Sequence, residues 1–92
     1  MSRGQGQWDH QQWAEHLREV RSALKKRDAI DRNLEGAATY GSAEEALRER
    51  SAWAARAKAH LRRMAVLAEA APDPDNARGV VGRLDRWRAR SR

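Results

Sequence analysis

Ser42–Ala71, SAEEALRERSAWAARAKAHLRRMAVLAEAA, runs for about thirty residues without a glycine or a proline. Within it Ala43, Leu47, Ala54, Ala57, Leu61, Met64, Ala68 and Ala71 recur at the three- and four-residue spacing of heptad a and d positions, with Arg50 as the one interruption. The pattern predicts a long helix whose small and apolar stripe needs a partner helix. Ser42 with Glu45 forms an S-x-x-E capping box at its start. Pro72 ends it, because proline breaks the hydrogen-bond ladder and disfavours the helical region for Ala71.

Upstream, Asp9 is a good N-cap and Gln12 stands three residues later. Trp8 and Trp13 occupy the N′ and N4 places of a hydrophobic staple. Trp13, Leu17, Val20 and Leu24 continue at heptad spacing. The stripe is then expected to move to Ala23, Ile30 and Leu34, passing the charged cluster Lys25, Lys26, Arg27 and Asp28. This first helix is expected to end near Leu34 or Glu35, with Gly36 supplying the residue after the helix and Gly36–Gly41 the connection.

Downstream, Asp73 followed by Pro74 reads as an N-cap with proline at N1. Ala77, Val80, Val81, Leu84 and Trp87 give the third helix an apolar face. Gly79 and Gly82 each cost it about 1 kcal/mol relative to alanine. The expected architecture is therefore all-α, with residues 1–7 disordered, 8–71 a long antiparallel helical hairpin, and 72–92 a short basic third helix and tail. Two helices of similar length leave part of each stripe uncovered. Either the third helix folds back over it, or two hairpins pair into a four-helix bundle; the flank of Trp53, His60 and Leu67, spaced by seven, is the candidate second contact.

Composition bounds the function classes. Ninety-two residues form one small domain that buries only about two thirds of the surface its unfolded chain exposes, so docking or self-association is expected. The absence of cysteine removes disulfides, thiolate zinc sites and thiol catalysis, and fits a reducing compartment, with the cytoplasm as the expected location. No apolar run approaches the roughly 20 residues of a membrane span, and MSRGQGQ lacks the features of a signal peptide. The net charge is +6, and Lys25, Lys26 and Lys58 are the only lysines. Arginine suits planar partners such as phosphate and carboxylate. Arginine and alanine are also favoured by GC-rich coding in a bacterial or phage genome, a second source of the same bias.

Catalytic and metal chemistry find little support. The nearest metal-like group, Glu15, His16 and Glu19, lacks the Glu-x-x-His motif of helical-bundle sites. The serines have no recognisable partner spacing, and no glycine-rich phosphate loop follows a strand. No catalytic residue, metal, cofactor or small-molecule substrate is expected. Ala37, Gly41 and Leu47 imitate a helix-turn-helix, but Gly36, Ser42 and Arg50 stand where apolar residues should pack.

Basic surface remains. Arg56, Lys58, Arg62 and Arg63 crowd the second half of the long helix, an order the helix dipole alone favours. Arg78, Arg83, Arg86, Arg88, Arg90 and Arg92 accumulate against only Asp85. The chain is thus expected to be a small non-enzymatic helical module docking on a larger protein assembly as a subunit, adaptor or inhibitor, with Trp53, His60, Leu67 and Trp87 as protein-contact candidates. The alternative is a nucleic-acid-binding protein whose arginine-rich C-terminal third contacts phosphates without sequence specificity. Its candidates are Arg56, Arg63, Arg83, Arg86, Arg88 and Arg90.

Overall fold

The computed structural model describes residues 8–35 and 43–90, which form a rod of 56 × 19 × 16 Å. Three helices make it up: α1 (His10–Glu35), α2 (Ala43–Ala68) and α3 (Pro74–Ala89); the described residues contain no strand. The expected disorder of residues 1–7, the Gly36–Gly41 connection, the Ser42 cap and the last residues of the basic tail lie outside the described residues. So does the side chain of Leu34.

Each visible helix start follows from its cap. The Asp9 carboxylate accepts the Gln12 backbone N–H at 3.0 Å, and Trp8 packs on Trp13 with ring centroids 5.3 Å apart. The two indoles cover Ala68, Ala71 and Ala77, closing the end of the rod where α2 turns into α3. Asp73 caps α3 by accepting the Asn76 N–H at 3.2 Å, with Pro74 in the first turn. The end of α2 differs from the sequence expectation. The helix stops at Ala68, and Ala70 and Ala71 donate instead to the carbonyls three residues back, at 3.0 and 3.2 Å. These tighter bonds satisfy the last carbonyls while Pro72 pulls Ala71 out of helical geometry.

Contacts between α1 and α2 run in opposite sequence order: His16 meets His60, Glu19 meets Arg56, and Asp31 meets Arg50. Val20, Leu24, Ile30 and Met64 are fully buried, with Ala23, Ala57, Leu61 and Leu84 beside them. Each large side chain contributes about 1.5–3 kcal/mol on burial. Alanine on the α2 side brings the backbones close.

The stripes, however, do not take the expected course. On α1 the expected Ala23 and Ile30 are buried, but the heptad also runs on from Leu24 through Arg27 and Asp31, which are buried at 3% and 8% exposure. On α2 the buried row enters through Ala46 and Arg50 rather than Ala43 and Leu47, and Leu47 stands 52% exposed. The cause is electrostatic. A carboxylate at Asp31 cannot be left unpaired between helices, so α2 turns Arg50 inward to it, with Nε on Oδ1 and Nη2 on Oδ2 at 3.3 Å. That rotation carries Leu47 into solvent.

The third helix is latched by the other buried charge. Arg27 donates to the carbonyls of Arg88 (2.7 Å) and Trp87 (3.1 Å), capping the C-terminal end of α3 with a positive charge, and also binds Asp28 at 2.9 Å. Asp28 in turn accepts the Trp87 indole N–H at 2.8 Å. Burial alone would raise the Asp28 carboxyl, but Trp87 and Arg27 outweigh it and hold the group below its ordinary value. Among the described residues no buried side-chain nitrogen or oxygen lacks a partner.

Two stability predictions follow from this packing. Asp31→Leu should lower the unfolding free energy by about 2–3 kcal/mol because it strands Arg50, while Asp31→Leu with Arg50→Leu should recover most of that loss in urea titrations. A Cβ at Gly82 would meet only the Arg86 guanidinium at 3.8 Å, an ordinary contact, so Gly82→Ala should raise the thermal midpoint by the equivalent of about 0.5–1 kcal/mol.

Candidate functional site

Two sides of α1 are distinguished by what they meet. Asp28 points to α3 through Trp87, whereas Glu19, nine residues earlier and therefore about 180° around the helix, meets Arg56 of α2 at 3.1 Å. The α1–α2 seam thus has a covered side, under α3, and an open side away from it. Trp53 sits half-buried on the open side, with Lys26 Nζ 5.0 Å and Arg56 Cζ 5.7 Å from its ring centroid. Both distances lie within reach of a cation–π attraction.

Two turns further along the open seam, the Nδ1 atoms of His16 and His60 face each other at 2.8 Å, with ring centroids 5.1 Å apart. One ring donates and the other accepts, which requires a neutral nitrogen on the accepting ring. Glu15, Arg18, Glu19 and Arg56 border the same depression. Burial pushes the His60 pKa down, helped by His16, Arg56 and Arg63, and Glu19 only partly opposes this. Among the described residues no group of three His, Asp or Glu side chains is placed to hold a metal ion.

The expected contact residues are distributed unevenly. Trp53, His60, Arg56 and Arg63 fall together along the open seam, and Arg63 is exposed beside His60. Leu67 instead belongs to the buried core, where it packs against the chain itself. Trp87 joins the core cluster and spends its N–H on Asp28, so it anchors α3. Arg88 is bound to Asp85 at 2.9 Å, while Arg83, Arg86 and Arg90 are exposed and make no ion pair among the described residues.

The acids and bases of α1 divide in a way that sequence reasoning missed. Glu19, Asp28 and Asp31 are all engaged within the chain, whereas Arg18, Arg21, Lys25 and Arg32 are exposed and unpaired among the described residues. The available signal was the heptad itself: positions 27 and 31 continue the buried row, and positions 18, 21 and 25 fall outside it. No described helix is long and apolar enough to cross a membrane. No protein-family model, curated protein or solved structure significantly matches the chain.

The histidine contact predicts a pH dependence with a definite sign. Because the folded state holds the His60 pKa below its unfolded value, the neutral ring's contribution is present above about pH 6.5 and is lost as pH falls through the folded pKa. The thermal midpoint should therefore drop between about pH 7 and about pH 5, and His60→Gln should flatten that drop. Loss tied to Asp28 belongs to a separate window below about pH 4.

Proposed function

We propose that the protein is a small non-enzymatic binding module of the cytoplasm, in which α1 and α2 form an antiparallel hairpin that docks on a larger protein assembly through the open seam at Trp53. The observation that carries this reading is the half-buried Trp53 ring between Lys26 and Arg56 on the side that α3 leaves uncovered. Tryptophan and arginine at the centre of a seam, with small residues around them, are the side chains that dominate interface energies.

The occupant that fits is a helix of another protein, apolar against Trp53 and carrying carboxylates for Lys26 and Arg63. A second copy fits less well, because face-to-face pairing would bring these cations toward their own kind. Completion of the bundle therefore comes from the partner rather than from self-pairing.

A phosphate-bearing partner is the second reading. It is favoured by Arg83, Arg86 and Arg90, which remain exposed without an ion pair among the described residues.

Trp53→Ala should leave helicity by circular dichroism essentially unchanged. It should also weaken association with an acidic protein captured from nuclease-treated host extract by about 30-fold, the effect of losing roughly 2 kcal/mol at an interface centre. Retention of that protein at undiminished strength would overturn the docking assignment.

A further inference from the structure

Resting on the phosphate-partner reading, we propose that a nucleic-acid backbone binds across the junction where the end of α3 meets α1, running over Arg18, Arg21 and Lys25 of α1 and on to Arg83, Arg86 and Arg90 of α3. The placement follows from contacts already described. Arg21 precedes Asp28 by seven residues, so it points within about 20° of the direction in which Asp28 meets α3. Lys25 and Arg18 fan outward from there by about 60° and 80°. On α3, Arg83 and Arg90 lie about 40° and 60° from Trp87, on the side opposite Val81, Asp85 and Arg88, which border α2 at Lys58 and Arg62. Arg86 continues the same outer face.

The two rows follow one another along the rod and overlap only where Lys25 meets Arg83. Ala77 packs near Trp13 and Trp87 meets Asp28, so α3 runs in the direction of α1, and one turn back from Trp87 brings Arg83 beside Leu24 and Lys25. Arg90 stands near enough to Asp28 to help hold its carboxyl down. Each row extends about 10 Å at 1.5 Å per residue, room for several phosphates.

The character of the junction selects a polyanion over an acidic protein. Arg18, Arg21, Ser22, Lys25, Lys26 and Ala29, all on α1, line an open depression of about 540 Å³ on the outer face of that helix, beside the junction with α3. On α3 the guanidinium groups of Arg83 and Arg86 lie back over Gly79 and Gly82, where no side chain stands between them and an approaching strand. The two exposed large apolar residues, Leu47 and Val66, are both on α2, so the junction offers a protein no hydrophobic centre. Exposed ion pairs with single carboxylates are worth little, whereas a polyphosphate releases its condensed counterions to every unpaired cation it meets.

Fluorescence anisotropy with a labelled mixed-sequence DNA oligonucleotide, single-stranded and duplex, tests this across a salt series. Wild type should bind with a steep inverse salt dependence. Arg18→Gln with Arg21→Gln and Lys25→Gln should reduce the duplex slope by about 2–3 and weaken low-salt binding tenfold or more. The charge-preserving set Arg18→Lys, Arg21→Lys and Lys25→Arg should keep the wild-type slope, which guards against a folding defect in the glutamine set. Removing the same charge from α2, at Lys58, Arg62 and Arg63, should change the slope by less than about one.

An unchanged slope in the junction variant, equal losses in the two charge-removal variants, or polyglutamate competing as well as DNA would overturn the assignment while the phosphate reading could stand. Failure of the wild type to bind either oligonucleotide would end both.

Discussion

A buried charge between two helices must find its counter-charge, and in this chain that requirement sets the register of everything else. Asp31 and Arg50 stand in the facing rows of α1 and α2, one in each, and meet across the seam. Moving α2 by one turn would leave Asp31 against alanine and bury its carboxylate without a partner, at a cost of several kcal/mol. The pair thus supplies specificity where the alanine-rich α2 surface supplies little, since alanines of equal size pack nearly as well one turn away. Arg27 plays the corresponding part for α3, closing the helix end with its guanidinium while Asp28 takes the Trp87 indole.

The same requirement decides what the surface carries. Among the acids of α1, Glu19 is committed to Arg56, Asp28 to Arg27 and Trp87, and Asp31 to Arg50, while Glu15 is exposed and the Glu35 side chain lies outside the described residues. Arg18, Arg21, Arg32, Arg83, Arg86 and Arg90 make no ion pair among the described residues, so positive charge is left on the outer faces of α1 and α3. Composition alone leaves open whether arginine was selected for binding or follows from base usage. The geometry adds that Arg27, Arg50 and Arg56 join one helix to another, while Arg18, Arg21, Lys25, Arg83, Arg86 and Arg90 stay exposed without an ion pair among the described residues.

Much of the architecture was legible in the sequence because it depends on local signals. Asp9 and Asp73 cap the helices they were expected to cap, Trp8 and Trp13 form the staple, and α1 ends at Glu35. What was not legible depends on pairing between distant residues. A pattern reading treats charge as outward-facing, so the stripe was expected to pass around Arg27, Asp31 drew no notice, and Arg50 looked like a gap in the facing row. The structure instead sets Asp31 against Arg50, gives Arg27 to the end of α3, and leaves Leu47 exposed. Of the three candidate contacts spaced by seven, Trp53 and His60 lie half-buried on the open seam, whereas Leu67, at the next interval, follows the helix into the core.

The central claim is that α1 and α2 lie in the register fixed by Asp31 and Arg50, and an interproton nuclear Overhauser spectrum tests it most directly. The account predicts cross-peaks between the His16 and His60 imidazole protons together with cross-peaks from Asp31 to the Arg50 side chain. Cross-peaks joining either residue of α1 to a position on α2 one turn or more away would contradict it.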